Sequence, residues 1–285
     1  MTVTAFLHRK IAAADGRSYY ELDADNVFRV YKYIADTKTI ENDKTLDDLY
    51  QAGIGFGRFQ KLLSDYPVET LHETIKDFHH TPRRIEALKA AIKEDKAGRV
   101  ASVEPEIAFA LRNADFAHKV IEGMERGEIP VRVTHNDTKI NNILFDSQSG
   151  EAVCVIDLDT VMPGSMLYDF GDALRMGGST ALEDETDLDK VSFDVEAFKA
   201  FASGYLDEMK DQLTRKELEL LPFSVKLLTY ECGVRFLTDY LNGDTYFKIH
   251  REKQNLDRAR NQFKLVEDIA AREAELAEIV ERLCG

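Results

Sequence analysis

The spacing of apolar residues changes from a two-residue period to a helical period early in the chain. Residues Arg17–Asp23 and Val27–Tyr33 alternate like two strands, with Asp25 and Asn26 as the turn between them. Beyond them, apolar residues recur at steps of three and four, which predicts a mainly helical chain. Helices are expected over Ile54–Leu63, Leu71–Phe78, Arg83–Lys93, Pro105–Met124, Val195–Met209, Arg215–Tyr240 and Leu256–Leu283.

Two short apolar runs interrupt this helical pattern in the middle of the chain. Ile143–Phe145 and Val153–Ile156 flank the turn residues Ser147–Gly150, which predicts a β-hairpin. If the turn centres near Ser149, antiparallel pairing places Asn142 opposite Ile156. Asn142 and Asp157 would then meet at the open end of the hairpin.

The polar residues around that open end suit phosphoryl transfer. An amide oxygen from Asn142 beside a carboxylate oxygen from Asp157 is a donor set for Mg²⁺, which needs few protein ligands. Asp137, just upstream, could accept a hydroxyl proton, and Lys139 could offset charge on the transferring group. Each of these residues alone is more typical of a turn. Together, at these spacings, they predict a kinase catalytic loop.

The same residues also fit a second chemistry. The strand Val153–Ile156 followed by Asp157, Leu158, Asp159, Thr160 and Val161 resembles the motif of haloacid-dehalogenase-type phosphatases, in which the first Asp is a nucleophile. That fold needs further strands in a doubly wound sheet. Because the downstream sequence has a helical pattern, the kinase interpretation is favoured.

The segments THNDTKINNILF, VCVIDLDTVMPG and LYDFGD, within residues 134–172, resemble the aminoglycoside phosphotransferase and choline kinase superfamily. The similarity is closest to the bacterial N-acetylhexosamine 1-kinases and runs from about Thr4 to Phe247. It implies an α+β, protein-kinase-like fold, with a truncated small β lobe and a large, mainly helical C-terminal lobe that carries catalytic β-hairpins. It also implies ATP as co-substrate and Mg²⁺ as cofactor.

The resemblance assigns roles to individual residues. Asp137 corresponds to the general base and Lys139 to the lysine that contacts phosphate, while Asn142 and Asp157 correspond to the magnesium ligands. Tyr33, Ile34 and Ala35 correspond to the hinge, where Tyr33 and Ile34 would bind the nucleotide.

A second region of similarity, ECGVRFLTDYLNGDTYF at residues 231–247, bears on the acceptor. Arg235 and Tyr246 lie outside the apolar stripe that is formed by Leu227, Leu228, Val234, Leu237 and Leu241. The resemblance implies that both bind a sugar, since a guanidinium can donate paired hydrogen bonds and a tyrosine ring can cover a pyranose face. The alternative is a surface arginine and a rim tyrosine. Thr160 is a further candidate for the same pocket.

Asp169, Phe170 and Gly171 spell the DFG metal motif of protein kinases but do not follow the hairpin. The hairpin gives the metal role to Asp157 instead. We expect the segment around Asp169 to begin a helix, with Asp169 as its N-cap or as a hydrogen-bond partner of the catalytic loop.

The N-terminal region is short for a complete kinase of this superfamily. Residues 1–35 are interpreted as a remnant of the nucleotide-binding lobe, and residues 36–285 as the helical catalytic and sugar-binding lobe. Lys10 has no glycine loop ahead of it. A start codon assigned too far downstream, a sugar-binding remnant without catalysis and a minimal enzyme all fit this pattern.

Composition narrows the function further. A formal charge of −15 argues against a nucleic-acid ligand, no apolar stretch is long enough to predict a membrane helix, and the N-terminus does not have the pattern of a signal peptide. Three unclustered cysteines suit a reduced, cytoplasmic protein. Within these limits, the resemblance implies ATP-dependent phosphorylation of the anomeric hydroxyl of N-acetylglucosamine or N-acetylgalactosamine. The alternatives are phosphorylation of an aminoglycoside, phosphorylation of choline, and a sugar-binding pseudokinase without catalysis. The acidic composition is compatible with an aminoglycoside substrate, while the absence of tryptophan weakens the case for choline.

Overall fold

Short antiparallel strands form the N-terminal part of the protein. The computed structural model describes residues 9–41 and 43–285, so the first eight residues of the expected nucleotide-lobe remnant lie outside the described residues. Strands β2 (Tyr20–Asp23) and β3 (Asn26–Phe28) pair as a hairpin, and β1 (Lys10–Ile11) pairs with β4 (Val30–Tyr31). The expected strand over Val27–Tyr33 is thus two strands that pair with different partners, and the turn lies at residues 24–25, one residue earlier than predicted.

A three-stranded sheet carries the central hairpin. Strand β7 (Ile143–Asp146) pairs with β5 (Thr37–Lys38) on one side and with β8 (Ala152–Val155) on the other. The Ile156 N–H donates to the carbonyl of Asn142 over 2.9 Å, which confirms the predicted register. A separate pair, β6 (Arg132–Thr134) with β9 (Met162–Gly164), flanks the hairpin and has no clear signal in the sequence pattern.

Eight α-helices make up most of the remaining described residues. Capping boxes at Thr45 and Thr214 begin α1 and α7. In each, the threonine hydroxyl accepts the N–H of the third helical residue, Asp48 or Glu217, and the carboxylate of that residue accepts the threonine N–H. The helices are α1 (Leu46–Leu62), α2 (Thr81–Glu94), α3 (Glu104–Arg112), α4 (Lys119–Glu125), α5 (Met166–Gly177), α6 (Val195–Met209), α7 (Arg215–Leu241) and α8 (Gln254–Cys284).

Two helix predictions were wrong. Residues 71–78 form bends and turns, because Asp77 adopts a left-handed φ of 55° that a helix cannot continue. The helix expected over Pro105–Met124 breaks after Arg112, where the Asn113 side chain donates to the carbonyl of Phe109 and a 3₁₀ turn follows at Ala114–His118.

The core consists of two apolar clusters. One joins α1, α5 and α6 to the hairpin around buried aromatic rings such as Phe56, Phe170 and Tyr205; the other joins α2, α7 and α8. Helices α1 and α6 touch at Gly204, where an added Cβ would lie 2.0 Å from the carbonyl oxygen of Tyr50. Helix α7 is buried on most sides, so its predicted single apolar face was too narrow. No helix in the described part of the chain is long and apolar enough to cross a membrane.

Candidate active site

The loop between β6 and β7 carries most of the predicted catalytic residues, and Asp169 fixes its start. The Asp169 carboxylate accepts the N–H of His135 over 2.8 Å and the N–H of Asn136 over 2.7 Å, and the Gln60 amide donates to it as well. This confirms the expected hydrogen bonding of Asp169 to the loop. The N-cap of α5 is Ser165, because its hydroxyl accepts the Leu167 N–H. Asp169 is therefore a scaffold residue of the loop.

Asp172 holds the next part of the loop from the same helix. Its carboxylate accepts the Thr138 N–H over 3.1 Å and forms a buried ion pair with Arg175 over 3.2 Å. Burial alone would raise the pKa of Asp172, but the charges of Arg175 and His79 outweigh it and lower the pKa. The loop thus rests on an ionised carboxylate.

A buried histidine holds the loop from the opposite side. His79 places one ring nitrogen 2.9 Å from a Glu231 carboxylate oxygen and the other 3.1 Å from the carbonyl oxygen of Asn136. Burial would raise the pKa of Glu231, but its bonds to His79 outweigh this and lower it, so Glu231 is ionised and, like the Asn136 carbonyl, can only accept. Both ring nitrogens of His79 then donate, which makes it an imidazolium. The Thr81 hydroxyl donates to the second Glu231 oxygen over 2.6 Å. Helix α7 is connected in this way to the residue that precedes Asp137.

Two polar residues at the site have left-handed backbone angles. Asn136 has φ of 65° and Asp157 has φ of 60°, a region that Asn and Asp tolerate better than most other residues. Asn136 is kept there by its side chain, which donates to the carbonyl of Thr160 over 2.9 Å. Such angles persist only where surrounding contacts impose them, and they concentrate at functional sites.

Asp137 lies within a network of two donors. The Lys139 ammonium is 2.9 Å from one of its carboxylate oxygens, and the Asn142 amide nitrogen is 3.2 Å from the other and 2.8 Å from the Asp137 carbonyl oxygen. Burial would lower the pKa of Lys139, but the hydrogen bond and charge of Asp137 outweigh it and raise the pKa. Lys139 and Asn142 therefore both lie within hydrogen-bond distance of Asp137, the predicted general base.

The two predicted magnesium ligands lie on neighbouring backbone at the open end of the hairpin, where the N–H of Ile156, which precedes Asp157, donates to the carbonyl of Asn142. With its amide nitrogen occupied by Asp137, Asn142 has its side-chain oxygen left to bind a cation. The Asp157 carboxylate accepts no hydrogen bond and forms no ion pair within residues 9–41 and 43–285. One amide oxygen and one unengaged carboxylate fit Mg²⁺, which takes few protein ligands and fills the rest with water and phosphate.

A cleft of 580 Å³ joins the catalytic loop to the predicted acceptor residues. Asp137, Lys139 and Thr160 line it on one side, and Arg235 and Tyr246 line it on the other. Thr160 already donates its hydroxyl proton to the carbonyl of His135 over 2.7 Å, so towards a ligand it can act only as an acceptor.

Arg235 is held by ring stacking rather than by a carboxylate. Its guanidinium lies 5.5 Å from the ring centroid of Phe78 and 5.4 Å from that of Phe247. Tyr246 is 69% exposed, at the rim, and its backbone N–H donates to Asp239 over 2.9 Å. Asp239 also accepts the N–H groups of Thr245 and Phe247. The turn that bears Tyr246 is thus fastened to α7, one helical turn beyond Arg235.

A second cleft of 430 Å³ lies between the N-terminal strands and the hairpin. Val27, Phe28, Arg29 and Tyr31 line one side, and residues 156–159, which include Asp157, line the other. The Arg29 guanidinium forms an ion pair with Asp159 across it. Tyr33, 84% exposed, and the half-buried Ile34 follow β4 in the chain but are not among the residues that line this cleft.

Comparison with known proteins decides the family. The sequence profile of the APH phosphotransferase enzyme family matches residues 3–203, more than half of the chain. The protein belongs to this phosphotransferase family. The phosphatase alternative was therefore wrong: the phosphotransferase has a helical lobe after β9 where the haloacid-dehalogenase fold needs more strands.

Solved structures agree on the fold of this phosphotransferase. A microcompartment-associated aminopropanol kinase is 20% identical with a TM-score of 0.63, over 96% of this chain and 77% of that one. An aminoglycoside phosphotransferase from Alicyclobacillus acidocaldarius is 15% identical with a TM-score of 0.64, over 97% and 78%. Spectinomycin phosphotransferase, in complex with ADP and spectinomycin, is 14% identical with a TM-score of 0.57, over 94% and 78%. The predicted protein-kinase-like fold is confirmed.

Several residues that shape the phosphotransferase site were not identified from the sequence. His79, Thr81 and Glu231 bring together positions about 150 apart in the chain. Glu231 is the first residue of the second region of similarity, residues 231–247, and this position was the one feature of the sequence that could have pointed to its role. His79 follows the segment Leu71–Phe78 that was predicted as a helix, and no motif in the sequence pointed to its role.

Proposed function

We propose that this phosphotransferase transfers the γ-phosphoryl group of ATP to the anomeric hydroxyl of an N-acetylhexosamine, N-acetylglucosamine or N-acetylgalactosamine. One observation carries the proposal: a single cleft contains the acid–base pair Asp137 and Lys139 together with Arg235 and Tyr246. The acceptor hydroxyl would lie at one end of this cleft and the sugar ring at the other.

Asp137 has the surroundings of a general base. Its carboxylate is fixed by Lys139 and Asn142, so one oxygen can take up the hydroxyl proton while the carboxylate keeps its orientation. Lys139 neutralises Asp137 in the free protein, and its flexible side chain can turn to the phosphoryl group when substrates bind. The intact set favours a catalytic protein over a sugar-binding pseudokinase.

Asn142 and Asp157 would hold Mg²⁺ at the open end of the hairpin, where it would neutralise charge on the triphosphate. Asn142 has two functions in this arrangement, because its amide nitrogen also orients Asp137. The nucleotide is assigned to the cleft beside Val27 and Tyr31, since Asp157 borders it. Tyr33 and Ile34 remain the proposed hinge contacts for the base.

The charge of the acceptor cleft disfavours amines. It is lined by three carboxylates, Asp137, Asp172 and Glu183, against six cations: the imidazolium of His79 and the side chains of Lys139, Arg175, Arg235, Lys248 and Arg258. A polycationic aminoglycoside would therefore meet a positive surface, although the whole chain carries a charge of −15. For choline, the rings of Phe78 and Phe247 are already stacked on Arg235. A neutral, hydroxyl-rich acceptor is the better match.

Arg235 suits such a neutral acceptor. It forms no side-chain hydrogen bond within the described part of the chain, so its donors are free for hydroxyl or acetamide oxygens. The exposed ring of Tyr246 can lie against a pyranose face. A cytoplasmic location also remains a proposal; it is supported by three free cysteines, Cys154, Cys232 and Cys284.

The test is a parallel assay with N-acetylglucosamine, N-acetylgalactosamine, choline and kanamycin. ADP release gives the rate and phosphorus NMR locates the phosphate. We expect a sugar 1-phosphate, and Asp137→Asn should lower turnover by about a hundredfold or more because an amide cannot accept the proton. Asp115→Asn, an exposed aspartate distant in sequence, is the control. The assay is run on this chain and on the chain extended upstream through its reading frame.

Phosphorylation of only choline or kanamycin would refute the sugar assignment. Turnover of Asp137→Asn near the wild-type value would remove Asp137 from the mechanism.

A further inference from the structure

A smaller pocket of 260 Å³ adjoins the acceptor cleft. It lies between α2, α7 and the turn after α7, and it shares Ile75, Arg235, Tyr246 and Phe247 with the cleft. The two spaces are therefore neighbours along the same surface. A ligand whose hydroxyl lies at Asp137 and whose ring lies at Tyr246 can extend into the smaller pocket.

This pocket contains two arginines that have no carboxylate partner. Arg84 donates to the carbonyl of Phe78 over 2.6 Å, while its buried Nε has no hydrogen-bond partner. Arg235 is stacked between two phenylalanine rings and makes no ion pair within residues 9–41 and 43–285. Arg83, the neighbour of Arg84 in sequence, shows the usual arrangement on this surface because it pairs with Glu86.

The two carboxylates that α7 contributes near the pocket are already engaged. Asp239, in the pocket wall, accepts the N–H groups of residues 245–247 and the side-chain amide of Asn255. Glu231 accepts hydrogen bonds from His79 and Thr81. Burial lowers the pKa of Arg84, and the charge of Arg235 lowers it further, as expected for two like charges held close together. With exposed Lys76 at the edge, the pocket wall carries three cations against one carboxylate.

We propose that this pocket binds an anionic substituent, a carboxylate or a phosphate, on the sugar acceptor. Guanidinium groups suit either anion because they donate two parallel hydrogen bonds. An anion there would supply the missing acceptor for Arg84 and offset the repulsion between Arg84 and Arg235. The inference rests on the proposed sugar kinase function and narrows it: the preferred acceptor is an acidic amino sugar.

The experiment measures binding separately from catalysis. Calorimetry compares N-acetylglucosamine with derivatives that carry a phosphate at C6, a carboxylate at C6 or a carboxymethyl group on the C3 oxygen. At least one derivative should bind about tenfold more tightly than the neutral sugar, and Arg84→Gln should remove about that factor without changing neutral-sugar binding. Arg83→Gln is the matched control and should change neither. Lys76→Gln, at an exposed position, should weaken only the anionic sugar, by about threefold, since a rim charge contributes little.

The outcomes separate this inference from the proposed function. An anionic sugar that binds through Arg84 but is not phosphorylated supports the pocket and refutes the kinase assignment. Phosphorylation of neutral N-acetylglucosamine, with no derivative binding more tightly, overturns the pocket alone. Equal loss of neutral and anionic sugar binding in both Arg84→Gln and Lys76→Gln also overturns it. The pocket is also overturned if inorganic phosphate binds tightly but does not compete with the anionic sugar.

Discussion

Replacing Glu231 by glutamine should weaken the attachment of the catalytic loop to α7. The side chains of Glu231 and His79 are 1% and 5% exposed, so solvent cannot replace the lost partner. Without the carboxylate, burial favours neutral imidazole, which can donate from only one nitrogen. Either the Asn136 carbonyl or the residue at position 231 then loses its hydrogen bond.

The expected cost follows from this burial. Removing one partner of a buried ion pair costs about 3 to 5 kcal/mol, because a charged or polar group is left without compensation. Glutamine can still accept one hydrogen bond, from Thr81 or His79, so we expect about 3 kcal/mol, the lower end of that range. Glu86→Gln breaks an exposed pair with Arg83 and should cost less than about 1 kcal/mol.

The dependence on pH gives the test its specificity. Burial alone would lower the pKa of His79, but Glu231 outweighs it and raises the pKa above 6.5. The stability that this raised pKa contributes is present below pH 6.5 and is lost as the pH rises through the pKa of His79 in the folded protein. Burial alone would raise the pKa of Glu231, but His79 outweighs it and lowers the pKa below 4.5; that stability is present above pH 4.5 and is lost as pH falls through the folded pKa.

The difference between wild type and Glu231→Gln should therefore be largest between pH 4.5 and 6.5. Urea unfolding at half-unit pH steps measures it, with the wild type, Glu231→Gln and Glu86→Gln in parallel. A difference that stays flat from pH 5 to pH 9, or that matches the one for Glu86→Gln, would refute the assignment of a buried imidazolium.

Two further predictions concern packing and the metal. Gly204→Ala should destabilise the protein by more than about 2 kcal/mol in urea unfolding, because its Cβ would lie 2.0 Å from a backbone oxygen of α1. Ser203→Ala, at the half-buried neighbouring position, removes only a hydroxyl that donates to the Lys199 carbonyl within α6 and should cost less than about 1 kcal/mol; similar midpoints for the two variants would show that the helices can separate freely. Asp157→Asn should raise the Mg²⁺ concentration for half-maximal activity by about tenfold or more, since the site loses its only charged ligand, and an unchanged requirement would exclude Asp157 from metal binding.

Local signals in the sequence predicted the hairpin well. Its register depends on the turn at residues 147–150 and on alternation within two short strands, so a one-residue slip would expose Ile143 and Phe145. The network of Asp137, Lys139 and Asn142 spans six residues, so a pattern over a short stretch was enough to find it. The assembly of Arg235 and Tyr246 with this network could be inferred from family resemblance alone.

Interactions between distant segments could not be predicted in the same way. The segment 71–78 has apolar residues at helical spacing, but it also contacts distant elements: the Ile75 N–H donates to the Met162 sulfur, and the adjoining His79 bonds to Glu231 and Asn136. The break at Asn113 depends on a side chain that competes for a backbone carbonyl, and composition alone does not reveal that competition. The short pair of β6 and β9 depends on partners 30 residues apart and has too few positions to show a period.

The way in which Asp239 secures the turn after α7 has a consequence for how acceptor preference can change over time. Asp239 binds three successive backbone N–H groups, at residues 245–247, and none of these bonds depends on which side chains the turn carries. The exposed positions Thr245 and Tyr246 can therefore be exchanged while the chain keeps its path beside Arg235. If the proposed sugar contact of Tyr246 holds, this separation of backbone frame from side chains makes the two positions a natural place for evolution, or for a two-site library, to redirect the enzyme to new acceptors.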